Sequence, residues 1–139
     1  MPTTVTAHVR YRGLTARDLA LVAVFAALIA ALSVTVAIPI GPVPITLQTL
    51  GIMLAPSLLG WKRGSLAIAA FLALGLAGLP LFAGGRGGLA VLAGPSAGFI
   101  VSWIFAALVI GLLTDLMVAR GRYGFWRGLL INLLGGVVV

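Results

Sequence analysis

The feature that most constrains this chain is a run of residues, 19–61, that contains no ionisable side chain. A helix needs roughly 20 apolar residues to cross a bilayer, so this run has room for two crossings. Over the whole chain 62% of residues are hydrophobic and 8% are charged, whereas soluble domains carry about 25% charged residues. A water-facing surface cannot be built from this composition. The sequence therefore predicts an all-α, polytopic helical membrane protein.

The charge-free runs predict five apolar segments, 19–38, 45–60, 64–81, 89–117 and 128–139. Every Lys and Arg except Arg86 falls in one of three clusters, and a serial up-down path puts all three on one side of the membrane. Cytoplasmic loops collect Lys and Arg. We therefore expect residues 1–18 to be a cytoplasmic tail and residues 19–139 to be one transmembrane domain of the cell membrane. The sequence pI of 11.8 is then a topology signal, and no nucleic-acid partner is expected.

Other classes are disfavoured by composition. A cleaved signal peptide is an alternative for the first segment, but its apolar run exceeds the usual 7–15 residues and no clear cleavage site follows. The chain has no cysteine and a single histidine, His8, in the polar tail, so neither a metal nor another cofactor is predicted. Asp115, the only acid within the apolar segments, has no His or Cys beside it. An enzyme is not predicted, because it would need paired acids, a metal cluster or an activated nucleophile.

Polar residues concentrate in two loops on the other side. The first loop, "IPIGPVPITLQT" (38–49), holds three prolines that forbid continuous helix. Thr46 and Thr49 follow with helical spacing, and Gln48 points to a different face. Two interpretations stay open for these polar residues. They satisfy the helix N-terminus, or they contact a ligand.

The second loop, "LPLFAGGRGG" (79–88), places Arg86 within a run of four glycines. Glycine lets a ligand approach the main chain closely, and exposed amides beside a guanidinium suit an anion. Three interpretations of Arg86 are open: it is a solvated loop charge, it pairs with a carboxylate within the chain, or it binds an anion from outside. We favour the anion, because Asp18 and Asp115, the only acids, lie toward the opposite side.

Three motifs carry a family resemblance. "GPVPITLQTLG" (41–51), "GLAGLPLFAGGRGG" (75–88) and "GPSAGFI" (94–100) resemble the signatures of BioY proteins, the biotin-specific substrate-binding subunits (S components) of energy-coupling-factor (ECF) transporters. The resemblance implies a six-helix membrane subunit that captures biotin from outside. It also implies partners, a transmembrane coupling (T) subunit and separate ABC-type ATPases that would hydrolyse the ATP. The runner-up interpretation is a small multipass channel or passive permease for another small carboxylated solute.

The resemblance also implies a division of labour at the site. Arg86 is the natural partner of the biotin carboxylate, because a guanidinium fork can hold it bidentately. The groups that we expect to serve the polar head of biotin are Thr46, Gln48 and the amides of Gly84, Gly85 and Gly87. Phe82 is expected to pack on the apolar carbons of biotin, whereas Trp103 is expected to contact neighbouring helices or lipid.

Small residues recur along the first segment at Ala23, Ala27 and Ala31. Such spacing lets another helix approach closely in lipid. In the family this stripe resembles the docking face for the coupling subunit, and packing within the same bundle is the alternative. Near the C-terminus the chain departs from the family pattern, since segment 128–139 would cover only about 18 Å as helix. We expect the chain to be a fragment that lacks the rest of the fifth span and the sixth.

Overall fold

The computed structural model describes residues 13–35, 37–38, 45–95, 97–122 and 124–138. The main helices are α1 (Ala16–Thr35), α2 (Gln48–Leu76), α3 (Ala97–Ala119) and α4 (Phe125–Val138). By length and composition α1 and α3 are each able to cross a membrane, and so is α2 when its 29 residues are counted as one helix. Two short strands, β1 (Ala37–Ile38) and β2 (Ile45–Thr46), pair in antiparallel register, and a 3₁₀ helix spans Leu89–Ala93. The predicted all-α class is confirmed. His8 and the three prolines of the first loop lie outside the described residues.

α2 reverses direction at Gly60, which has φ 80° and ψ 176°. This left-handed φ favours glycine, because a side chain there would clash with the backbone. In a straight helix Pro56 and Gly64, eight residues apart, would be separated by about 12 Å. Here they touch, because a Cβ added to Gly64 would collide with the Cα of Pro56. The two arms, 48–59 and 61–76, therefore pack against each other. They correspond to the predicted segments 45–60 and 64–81, now joined by a single-residue corner.

Both acids of the chain hold this corner. The carboxylate of Asp115, near the end of α3, accepts the backbone N–H of Trp61 at 3.2 Å, and so caps the second arm of α2. Asp18 lies 2.7 Å from the guanidinium of Arg63 and accepts the N–H of Thr15 at 3.0 Å. The start of α1, the corner of α2 and the end of α3 thus meet at one end of the bundle, which we call the corner end.

The other boundaries shift for local reasons. The predicted segment 89–117 divides into the 3₁₀ helix and α3, because Gly94 is extended (φ −96°, ψ 175°) and the following Pro95 lacks a backbone N–H. α1 begins at Ala16, three residues before the predicted segment. There Thr15 and Asp18 form reciprocal side-chain-to-backbone bonds at 3.3 and 3.0 Å, the capping-box arrangement.

The core lies where α1 and α3 pack on the two arms of α2. Its fully buried members include Ile29 of α1, Ile52 and Phe71 of α2, and Ile110 of α3. Close approach depends on small residues, since a Cβ on Gly111 of α3 would collide with the Cα of Trp61. This packing holds the outer ends of α2, Gln48 and Leu76, on the same side of the bundle, opposite the corner end.

Candidate functional site

The glycine-rich loop forms a tight hairpin over residues 82–86. The N–H of Phe82 donates to the carbonyl of Arg86 at 2.9 Å, and the N–H of Arg86 returns to the Phe82 carbonyl at 3.3 Å. Gly84 and Gly85 make the turn with φ 76° and 70°, values that L side chains rarely adopt. The hairpin is also tied to α2, because the N–H of Gly88 donates to the carbonyl of Gly75 at 2.8 Å.

Phe82 fixes the hairpin to the core. Its side chain is only 3% exposed and meets Phe71 edge-on with ring centroids 5.8 Å apart. Trp103 of α3 lies 6.4 Å from the Phe82 ring, and a Cβ on Gly75 would stand 2.6 Å from the same ring. The ring predicted to pack on a ligand therefore lies within an aromatic cluster beneath the hairpin.

Arg86 is exposed at the end of the hairpin. Its Nε donates to the carbonyl of Ala83 at 3.2 Å, a bond that orients the guanidinium. Among the described residues, the two terminal nitrogens have no hydrogen-bond partner and no acid lies within ion-pair distance. Asp18 and Asp115 are both engaged at the corner end. The described residues thus provide no internal carboxylate for Arg86.

A groove of about 210 Å³ opens beside Arg86, lined also by Gly87, Ala90, Val91 and Gly94. One wall is therefore cationic and the other is built from small apolar residues of the 3₁₀ helix. The amides of the hairpin are partly used internally, since Gly85 N–H donates to the Phe82 carbonyl at 3.0 Å. Gly84 and Gly85 are exposed, whereas Gly87 is half-buried.

Gln48 lies at the start of α2, at the same end of the bundle as the hairpin. Its side chain is 1% exposed, and its Nε2 has no hydrogen-bond partner among the described residues. The backbone of Thr46 lies in β2, opposite Ala37; its side chain is outside the described part. A buried amide donor without a partner costs free energy, so Gln48 is the best polar candidate for a ligand contact on this helix.

The alanine stripe of α1 lies outside the bundle. Ala23, Ala27 and Ala31 are all exposed. In contrast, Val22 and Ala26, which directly precede Ala23 and Ala27, are buried. Among the described elements, no helix covers the stripe. The described contacts of α1 therefore use its other face.

Two features were not predicted from the sequence. The first is the cluster of Phe71, Phe82, Phe99 and Trp103, in which the buried Trp103 Nε1 has no partner among the described residues. The spacing of Phe99 and Trp103, one helical turn apart, is the signal that could have indicated it. The second is the cap that Asp115 provides for α2, for which no local pattern exists, since 54 residues separate it from Trp61.

Comparisons with known proteins agree with this architecture. The model of the BioY family matches residues 3–139. A biotin transporter BioY of Rhizobium etli is 48% identical over 128 residues, which are 88% of this chain and 68% of the relative. A biotin transporter BioY of Rhodobacter capsulatus is 45% identical over 132 residues, and the match covers 79% of this chain and 70% of that relative.

One solved structure is also similar. It is the crystal structure of the S-component for biotin from an ECF-type ABC transporter, with a TM-score of 0.80 and 42% identity. The match covers 87% of this chain and 65% of that chain. The present chain thus spans just under two thirds of the length of the solved protein.

Proposed function

This chain belongs to the BioY family, and from that premise we propose that it captures biotin as the membrane S component of an ECF-type ABC transporter. The observation that carries the site is the guanidinium of Arg86, which forms no ion pair with any described residue and is held at the mouth of a groove by a hairpin anchored in the core. Biotin offers one carboxylate, a ureido ring and an apolar chain. Each has a chemically matched group at this end of the bundle.

The carboxylate of biotin binds the terminal nitrogens of Arg86 in this proposal. The Nε bond to Ala83 leaves those nitrogens as a planar pair, which is the geometry for a bidentate carboxylate. Exposure at the loop keeps the guanidinium hydrated before binding, which avoids the cost of a charge in hydrocarbon. The amides of Gly84 and Gly87 are further donors for the same oxygens.

The ureido head of biotin is assigned to the start of α2. Gln48 supplies the buried, unpartnered amide, and Thr46 precedes it in β2. Phe82 supplies apolar surface for the ring or chain from the edge of the aromatic cluster. Its main contribution is to hold the hairpin, because its ring is almost fully buried.

Coupling to the rest of the transporter is assigned to the exposed alanine stripe of α1. Ala23, Ala27 and Ala31 present a flat face with no described helix on it. In lipid, a second helix gains van der Waals contact by approaching such a face closely. We propose that this second helix belongs to the T subunit, and that ATP hydrolysis takes place on separate ABC-type ATPase subunits.

The orientation follows from charge. The corner end carries Arg17, Lys62 and Arg63, whereas Arg86 stands at the opposite end. Since Lys and Arg collect on the cytoplasmic side, we propose a plasma-membrane location with the corner end inside and the hairpin outside.

The test is equilibrium binding of labelled biotin to the purified protein in nanodiscs, with other carboxylated vitamins as competitors. The proposal expects saturable binding that only unlabelled biotin displaces at low concentration. A passive channel, the alternative, would conduct its solute without such a site. Displacement of labelled biotin by every carboxylated vitamin at equal concentration would remove the case for biotin.

A further inference from the structure

A second cavity, of about 400 Å³, lies at the corner end and is unrelated to the proposed biotin site. It opens between the start of α1 and the corner of α2. Its lining residues are Leu14, Thr15, Arg17, Asp18, Lys62 and Arg63. At about 30 Å³ per water molecule, it has room for roughly a dozen waters, which is ample space for a charged headgroup.

The cavity has an excess of positive charge. Of its three cations, Arg63 is neutralised by Asp18 at 2.7 Å, and Asp18 is further occupied by the N–H of Thr15. Arg17 and Lys62 form no ion pair with any described residue. Two cations from different helices therefore face one cavity whose single described carboxylate, Asp18, is already paired with Arg63.

The residues around the cavity are of the types that suit a membrane surface. Leu14 and Leu19 are 50% and 55% exposed beside the charged residues. The Nζ of Lys62 lies 5.5 Å from the ring centroid of Trp61, and Trp is the residue that prefers the headgroup level of a bilayer. Apolar flank and cationic cavity thus meet at the level where lipid phosphates would lie.

We propose that this cavity binds the phosphate headgroup of an anionic phospholipid, with Arg17 and Lys62 as its ligands. Arg and Lys donate charge-assisted hydrogen bonds to phosphate oxygens, and basic pockets between membrane helices are suited to anionic headgroups. A bound lipid would bridge α1 to the corner of α2 beside the Asp18–Arg63 pair. The proposal depends on the membrane location of the chain and not on biotin capture.

The experiment is native mass spectrometry of the purified full chain, titrated with phosphatidylglycerol. The double variant Arg17→Gln/Lys62→Gln should weaken the tightest bound lipid by about thirtyfold, given the usual contribution of a basic residue at a membrane surface. Arg63 stays unchanged, because it pairs with Asp18. The matched control is Arg120→Gln/Arg122→Gln, which removes the same charge from the exposed turn after α3, outside the lining of this cavity, and should leave the affinity within about twofold of wild type.

Two further probes separate the possible sources of phosphate. Phosphatidylcholine should not compete for the cavity, since it has no net charge, and millimolar inorganic phosphate should not displace the lipid. Equal losses in the two double variants would mean a diffuse electrostatic attraction and would overturn the proposal. Displacement by inorganic phosphate would also overturn it, in favour of a soluble anion. Unfolding temperatures of both variants, measured in parallel, would show whether each remains folded.

Discussion

Replacing Arg86 by alanine should weaken the binding of biotin and leave the fold intact. The side chain is exposed and, among the described residues, donates only to the Ala83 carbonyl. The hairpin itself is held by backbone bonds and by the Phe82 ring. A hydrogen bond to a charged group contributes about 1.5–3 kcal/mol. Loss of the carboxylate contact should therefore raise the dissociation constant of biotin about 10- to 150-fold.

The decisive comparison uses a ligand without the charge. Wild-type protein should bind biotin amide about as weakly as the alanine variant binds biotin. The alanine variant should lose little further affinity for the amide, because the two changes remove the same interaction. Isothermal titration calorimetry of both proteins with both ligands measures the coupling directly. Arg86→Lys should recover only part of the affinity for biotin, since an ammonium lacks the planar fork.

Phe82→Ala is the control for a loss of affinity that does not involve the carboxylate of biotin. Loss of the ring should loosen the hairpin, because the ring is buried under the loop. The affinities for biotin and for biotin amide should therefore fall by similar factors. If Arg86→Ala also weakened acid and amide equally, the guanidinium would be holding the loop through Ala83 and would not bind the carboxylate. That result would refute our assignment of Arg86.

Three other predictions concern the rest of the bundle. Ala27→Trp should reduce co-purification of the T subunit by at least about tenfold and leave the affinity for biotin unchanged. Ala26→Trp, one position earlier and buried, should instead destabilise the fold. The opposite pattern would place the stripe inside the bundle. In denaturant titrations, Asp115→Ala should lower the free energy of unfolding by about 0.5–2 kcal/mol through loss of a helix cap. Asp115→Asn should keep most of this stabilisation, and equal losses in the two variants would argue against the cap. In intact cells an impermeant thiol reagent should label a cysteine at position 89, where Leu89 is exposed, and not one at position 62, since the chain has no native thiol. The reverse labelling would invert the proposed orientation.

The sequence predicts the parts of this fold that depend on composition and local pattern. The apolar runs locate most helix ends to within about five residues, although α3 begins at Ala97 and not at residue 89. Arg86 stands out because nothing else in its loop is charged. Contacts between distant residues leave no such pattern. The cap from Asp115 to Trp61, the burial of Phe82 and the outward direction of Ala27 all depend on how the helices pack, which local periodicity does not determine.

The reversal at Gly60 has a consequence for the surrounding lipid. The first arm of α2, residues 48–59, covers about 18 Å at 1.5 Å per residue, against a hydrocarbon core of about 30 Å. Such hydrophobic mismatch is met by local thinning of the bilayer or by long side chains that extend to the interface. Lys62 and Arg63, which directly follow the corner, have side chains of this kind. In bilayers of longer acyl chains, the corner should therefore be the first part of the bundle to come under strain.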